Sequence, residues 1–482
     1  MNILLIAPSV KQSASYKYPD GIARSMSRNF GIYPWLGLSY LAAYIQNSDF
    51  KVEIIDMDAA HLSIPGLVRL IRRKKPDIIG IASMTFTFIY VLKLARAIKK
   101  VYSAPIIIGG AHVSIYPELV MQHTCFDIGV IGEGEQTFAQ LLNYFKEKPT
   151  ALGGDHKSLG DIDGLAFKFG QEVVITKPRE LIADIDSLPL PVVNFLPIDR
   201  YYGCNHIKPY LTMVTARGCR FNCDFCSKTP WGNSFRYHSA ERVVDEIEYY
   251  VNKLGIKAID FYDDTFTIPR DRIEKIISLI HQRNLKFDFG CMTRIDCVDN
   301  DLLKGLRQAG CTVIAFGIEF GNQRIQEQVN KKLSFDNIKK VFASARQIGI
   351  ATVGFFMIGH PDETEADIKQ TMDLMSRLPA DYVKTNILIP YPQSPLYRRL
   401  LSDRILPHDF WAELTKGNIL GVKDLIHSRV GLARLVQLRN QMNRLSYTKQ
   451  QSNLFKFNKI KSIQDVHRSL SIILGTYFDD KV

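Results

Sequence analysis

Over residues 1 to 148, short apolar runs alternate with helix-length amphipathic stretches. The runs Ile3–Ala7, Val52–Asp56, Ile78–Ser83, Ile106–Ile108 and Ile128–Ile131 predict strands. Leu36–Gln46, Ile64–Lys74, Phe88–Val101, Pro117–Gln122 and Gln136–Lys146 predict helices. Hydrophobicity that is continuous within each run means a strand covered on both faces, as in a parallel sheet. The expected N-terminal architecture is a doubly wound α/β domain. Small and polar residues follow the strands: Ser83-Met84-Thr85, Gly109-Gly110-Ala111-His112 and Gly132-Glu133-Gly134-Glu135. In open sheets of this kind ligands lie beyond the carboxyl ends of the strands, and glycines there admit a large flat or phosphorylated group. The same loops also read as simple tight turns.

Residues 149–208 break the pattern. Gly153-Gly154-Asp155 opens a polar stretch, Gly164 to Ile175 reads as two short strands around a Gly170-Gln171 turn, and Leu188-Pro189-Leu190-Pro191 with Pro197 suits an extended linker. Tyr201 and Tyr202 read as packing aromatics. The alternation resumes over 209–400, with strands Tyr210–Val214, Ala258–Tyr262, Lys286–Cys291, Val313–Ile318, Thr352–Ile358 and Tyr382–Ile389. The intervening helices are Ala240–Lys253, Arg270–Arg283, Asp301–Ala309, Phe335–Ile348 and Thr364–Arg377. Six such units predict a partial (β/α)6 barrel, whose active site lies at the carboxyl ends of the strands. Asp263, Asp264, Arg294, Glu319, His360 and Glu363 fall there. Each acidic residue among them also reads as a helix cap or an ion-pair partner. Residues 401–482 read as a helical cap over the open side of the barrel, with helices at Trp411–Leu414, Ser428–Ser446 and Ile463–Leu474. Arg429, Arg434, Arg439 and Arg444 make the middle one basic enough to lie on a membrane surface.

At 482 residues the chain exceeds one ordinary core, which fits this division into domains. Hydrophobic content of 46% with 23% charged residues is that of a soluble globular protein. No apolar run approaches the ~20 residues of a membrane span. The opening Met1 to Pro8 reads as a strand without a basic leader, and eight cysteines in no repeating pattern argue against a secreted disulfide framework. The expected compartment is the cytoplasm. A net charge of +12 is compatible with a solvated face or with an acidic electron donor. No aromatic–basic interleaving points to nucleic acid.

The candidate chemistry sits after the strand Tyr210–Val214, where Cys219, Cys223 and Cys226 follow in Cys-x3-Cys-x2-Cys spacing. Three thiolates in one short loop suit a cubane iron–sulfur cluster with one iron left open to a small molecule. The competing reading is a zinc knuckle completed by His206 or His238, although no second Cys pair exists. Cys291, Cys297 and Cys311 read as buried or incidental.

This spacing, with Phe225 before the last cysteine, resembles the radical S-adenosylmethionine (SAM) superfamily. The resemblance implies a [4Fe-4S] cluster on Cys219, Cys223 and Cys226 and reductive cleavage of SAM to methionine and a 5′-deoxyadenosyl radical. It further implies SAM contacts from Phe225, Asp263, Asp264, Arg294, Glu319, Gly354 and Gly359. The family's glycine-glycine-glutamate motif stands here as Tyr262-Asp263-Asp264, and Gly354 to Gly359 matches the apolar segment near adenine. With the preceding α/β domain, the order of parts resembles the cobalamin-dependent branch. That implies a flavodoxin-like domain whose loops Ser83, Met84, Thr85, Gly109, Gly110, His112, Gly132, Glu133 and Gly134 surround cobalamin. The Asp-x-His-x-x-Gly motif is absent, so His112 reads as a hydrogen-bonding loop histidine rather than a cobalt ligand. Methylthiotransferases share the order of parts but need further N-terminal cysteines, and only Cys125 is present there. The implied activity is methylation of an unactivated carbon in a small-molecule or lipid substrate, with flavodoxin or ferredoxin as electron donor. Oxidative cyclisation without methyl gain is the alternative, and a zinc-bearing binding module the distant one.

Overall fold

The computed structural model describes residues 1–15, 31–46, 49–149, 157–193, 196–203, 207–418 and 421–454. His206, Gly153–Asp155 and the expected helix Ile463–Leu474 lie outside the described residues. Two compact units emerge: Met1–Tyr201 with Lys228–Gly232 and Leu406–Gly421, and Tyr202–Ser227 with Asn233–Ile405 and Val422 onward.

In the first unit, β1 (Asn2–Ala7), β2 (Lys51–Asp56), β3 (Ile78–Ala82), β4 (Ile106–Gly109) and β5 (Ile128–Val130) are parallel, in the order 2-1-3-4-5. Strand order reverses beside β1, which is the topological switch of a doubly wound sheet. Ile3 to Ala7, Ile78, Ile79, Ile106 and Ile108 are almost wholly enclosed, as continuous apolar runs require. The expected linker hairpin belongs to this sheet: β6 (Leu165–Phe169) pairs antiparallel with β5, and β7 (Glu172–Ile175) with β6. Leu165, Ala166 and Phe167 bury their side chains there, which a free linker would not do.

The end of the connector is fastened to the carboxyl end of β2. Tyr201 is fully buried, and its hydroxyl donates to Asp56 Oδ2 at 3.2 Å. Asp56 Oδ1 accepts from Asp58 N at 2.9 Å and Ala59 N at 3.0 Å. Arg200 Nη1 donates to Ala59 O at 3.0 Å.

The second unit is a six-stranded parallel sheet in strict chain order. Its strands are β8 (Tyr210–Met213), β11 (Ala258–Phe261), β12 (Asp288–Thr293), β13 (Cys311–Glu319), β14 (Ala351–Ile358) and β15 (Tyr382–Ile387), with a small ribbon of β9 (Ala216–Arg217) and β10 (Arg236–Tyr237). Each crossover carries a helix, the arrangement of a partial (β/α)6 barrel. One face of the sheet is buried against those helices, as where Phe316 meets Phe342 at 5.4 Å between ring centres. The other face carries the half-buried positions, Phe355 and Met357 on β14 among them.

The tail divides between the two units instead of forming one cap. Helix Phe410–Lys416 packs in the first unit, where Trp411 is buried and Tyr116 donates to Asp409 at 2.9 Å. Helix Leu432–Leu454 runs along the edge strand β15 and buries Leu435, Leu438 and Met442. Asn443 acts there as a substitute strand residue: Thr385 N donates to its Oδ1 at 3.0 Å, and its Nδ2 donates to Thr385 O at 3.5 Å. Arg434 pairs with Glu365 at 2.6 Å and Arg439 is buried, so these two arginines serve the fold. Among the described residues no helix is long and apolar enough to cross a membrane.

Burial raises the Asp56 carboxyl to about 6, against the pull of its hydrogen bonds. The folded state therefore binds this proton more tightly than the unfolded chain. Stability from this group is full below the ordinary aspartate range and falls as pH rises toward 6, by roughly 3 kcal/mol at most. Asp56→Asn should raise the thermal midpoint at pH 8 and lose that advantage toward pH 4, as scanning calorimetry at the two pH values would show.

Candidate active site

β8 delivers the chain into the cysteine loop, and the next strand grips its first residues. Asp263, at the end of β11, is 1% exposed. Its Oδ1 accepts from Thr215 N at 2.5 Å and Ala216 N at 3.0 Å, and its Oδ2 accepts from the Thr215 hydroxyl. Burial pushes this carboxyl up, while Arg272 and the three donors pull it back. Arg272 holds the same turn from outside, donating to Thr215 O at 3.0 Å and His238 O at 2.7 Å. Gly218, at φ +86°, then turns the chain into the loop, a conformation few side chains allow.

Each remaining strand end adds a hold on the loop. After β11, Thr265 Oγ1 lies 3.9 Å from Cys219 Sγ. After β12, Arg294 stacks its guanidinium on Phe221 at 4.0 Å and donates toward Cys223 Sγ at 3.7 Å. After β13, Val329 O accepts from Asp224 N at 3.1 Å and Asn330 Nδ2 donates to Asn222 O at 3.0 Å. After β14, His360 Nε2 approaches Asp224 Oδ2 at 3.4 Å, while its Nδ1 accepts from Asp362 N at 3.3 Å. Nδ1 therefore carries the lone pair and Nε2 the proton. After β15, Leu396 N donates to Asp224 O at 2.8 Å, and Ser227 Oγ to Pro392 O at 2.7 Å.

Cys223 is buried, and Cys219 and Cys226 are half-buried. Burial pushes the Cys223 thiol up, with Lys331 and Arg294 drawing it down. Lys331 and Arg294 thus put two cations beside Cys223, which suits a thiolate there better than it suits packing. Asp224 Oδ1, between the second and third cysteines, is buried with no partner.

Glu319 ends β13 in the left-handed region, φ +69°, and pairs with Lys331 Nζ at 2.9 Å. A Cβ at Gly317 would come within 2.4 Å of Glu319 Oε1, so glycine makes room for this pair. Asp264 is exposed at the end of β11, on the same side as exposed Tyr262.

In the first unit the loops after β3, β4 and β5 meet. Ser83 N donates to Gly109 O at 2.8 Å, and His112 N to Ser83 O at 3.3 Å. Gly110 has φ +112°, and a Cβ there would lie 2.5 Å from Ser83 O. Gly132, at φ +77°, donates its N–H to Ser114 Oγ at 2.9 Å, and a Cβ on it would meet only open space. Among the described residues the Ser83 hydroxyl is buried without a partner. An unsatisfied hydroxyl after β3 and an uncovered glycine backbone after β5 fit a large flat ligand with polar edges.

Two family models match the chain: residues 213–375 the radical SAM superfamily, and residues 29–142 the B12 binding domain. An uncharacterised methyltransferase of Pyrococcus horikoshii is 32% identical over 385 residues, covering 79% of this chain and 82% of its own. This chain belongs to the cobalamin-dependent radical SAM family. The anaerobic magnesium-protoporphyrin IX monomethyl ester cyclase of Cereibacter sphaeroides is 27% identical over 387 residues, 77% of this chain but only 61% of that one. The fold is shared with the radical SAM methyltransferase TsrM from Kitasatospora setae, whose structure was solved with cobalamin and a [4Fe-4S] cluster. The TM-score is 0.65 at 17% identity, over 84% of this chain and 75% of that one.

In this radical SAM protein several of the residues expected at the cofactor sites have partners within the chain. The Asp263 carboxylate is committed to the turn below the cysteines, and Arg294 to Phe221, Asp296 and Cys223. Gly354 lies on the helix-facing side of β14, where a Cβ would meet Ile318, Phe356 and Val383. Gly359 packs against Leu435 and donates its N–H to Glu363 at 2.6 Å. Phe225 packs on Phe320, Ile325 and Val329. Glu133 accepts from Ile182 N at 2.8 Å and so fastens the connector. Met84 N donates to Thr87 Oγ1 at 3.0 Å, which caps the turn holding buried Thr85, and Gly134 opens helix Gly134–Glu147. His112 is buried, with its ring 4.2 Å from Phe88 and its Nε2 3.0 Å from Thr415 Oγ1. The Thr415 hydroxyl donates to Trp411 O at 2.6 Å, so Nε2 is the donor of that pair. Burial holds the His112 imidazole down at about 3, which keeps it neutral. Lys331 was not foreseen, because it lies beyond the strand end in a loop that carries no periodic signal.

Asp263→Ala would leave three buried donors unsatisfied, each worth about 1–3 kcal/mol. Iron retained after anaerobic reconstitution should fall several-fold in that variant. Asp264→Ala, on the exposed side, should retain iron at the level of the unaltered protein.

Proposed function

We propose that this protein is a cobalamin-dependent radical SAM methyltransferase acting on an unactivated carbon of a small molecule. The observation that carries the reading is a loop bearing Cys219, Cys223 and Cys226 that the strand ends of a partial barrel hold in place. Cys219, Cys223 and Cys226 would ligate a [4Fe-4S] cluster, leaving one iron for SAM. When bound, these groups supply one-electron cleavage of SAM to a 5′-deoxyadenosyl radical and a methyl group carried on cobalamin.

The residues of the chain bind, orient and shield. Asp264 and Glu319 offer carboxylates to the ammonium and ribose of SAM, and Lys331 offers a cation to its carboxylate. Phe355 and Met357, on the sheet face away from the helices, give an apolar wall for adenine. Ser83 and the backbone at Gly109, Gly110 and Gly132 are the groups placed to meet cobalamin. His112, neutral and tied to Thr415, orients the β4 loop rather than binding cobalt. A net charge of +12 favours an acidic donor such as flavodoxin or ferredoxin, and the cytoplasm is the compartment that suits such a pair. The arginines used inside the tail helix favour a small-molecule substrate over a lipid at a membrane surface. The second reading, oxidative cyclisation, rests on the likeness to the Cereibacter cyclase.

Anaerobically reconstituted protein should hold iron and sulfide and cleave SAM under reduction; replacing any of the three cysteines by alanine should abolish cleavage. A methylated product with S-adenosylhomocysteine supports the transferase, whereas 5′-deoxyadenosine with no methyl gain supports the cyclase. Ser83→Leu should lower retained cobalamin, read from visible absorbance, and leave the iron content unchanged.

A further inference from the structure

We propose that Arg294 sets the reduction potential of the iron–sulfur centre, acting as a positioning residue through Cys223. The inference rests on the cluster reading above and concerns a property that reading leaves open.

The Arg294 side chain is buried and held on several sides. Nε and Nη2 form a fork onto Asp296, at 3.0 and 2.7 Å. Nη2 also donates to Lys331 O at 3.0 Å, and the guanidinium plane lies on the Phe221 ring. These contacts leave Nη1 aimed at Cys223 Sγ, 3.7 Å away. The guanidinium is therefore preorganised as a charged N–H donor to one particular sulfur.

A donor on a ligand sulfur, and a positive charge beside it, both favour the state that holds one more electron. The second cation near Cys223, Lys331, is partly offset by Glu319, with which it pairs at 2.9 Å. Asp296 cancels less of Arg294, because 40% of its side chain is exposed and water shares its charge. Arg294 is the one of the two cations that also directs an N–H at the sulfur. Without it the centre should be harder to reduce.

The test is the midpoint potential of anaerobically reconstituted full-length protein, from mediated titration followed by the electron paramagnetic resonance of the reduced centre, with iron and sulfide counted per chain. Arg294→Gln should move the potential negative by about 59 mV or more, a tenfold change in the reduced-to-oxidised ratio. Asp296→Asn, which leaves the cation less compensated, should move it in the positive direction. An Arg294→Gln protein with full iron and an unshifted potential overturns the proposal. If that variant loses its cluster, Asp296→Asn decides, and an unshifted or more negative value overturns it. An unaltered protein that assembles no four-iron centre would instead refute the cluster reading.

Discussion

Three cysteines within eight residues, the proposed cluster ligands, sit in a loop with almost no regular structure of its own. A free loop of that length samples many conformations, and ordering it costs about 1–2 kcal/mol per residue. The buried clasp between Asp263 and the Thr215–Ala216 turn meets this constraint at the loop's entry. Beyond it, the loop is ordered by one contact after another from successive strand ends. Asp224 alone is held through its N–H, its carbonyl and its side chain, from three different places in the chain. The barrel is thus a frame for one loop, and the sheet order, which follows the chain from β8 to β15, is what brings those holds to the same rim.

The strands of both sheets are legible in the sequence because parallel strands buried on both faces must be continuously apolar. The cysteine spacing is legible because soft-metal ligation leaves few alternatives. Phase is harder. On β14 the buried and half-buried positions alternate, so Gly354 and Phe355 fall on opposite faces, and periodicity alone does not say which face the helices take. The duties of Asp263 and Arg294 are hidden for a related reason. A carboxylate at a strand end looks the same in a sequence whether it meets a ligand or two backbone amides of the next turn. The hairpin at Leu165 to Ile175 reads correctly as a hairpin, but its membership in the first sheet depends on a long-range pairing with β5.

The first unit solves a different problem with the opposite means. Where the barrel rim crowds side chains around its loop, the loops after β3, β4 and β5 approach through backbone: Gly110 lets the β4 turn close on Ser83, and Gly132 leaves its surface bare. A broad ring-shaped ligand needs such a surface, since side chains would hold it off. His112 illustrates the division of labour. Its position beside a glycine turn suggests a ligand, yet the ring is taken up by Phe88 and Thr415, so it ties a late segment of the chain to an early one.

Asn443 has an implication for how this enzyme can be cut down. A carboxamide that offers both an acceptor and a donor to Thr385 imitates one rung of a neighbouring strand, and it closes the sheet margin against other chains. A fragment ending with the sixth strand would present that margin bare, along with the apolar strip now covered by Leu435, Leu438 and Met442. The smallest autonomous catalytic piece therefore includes a helix that supplies no chemistry. Evolution of the tail is bound to the sheet's exposed border as much as to any substrate.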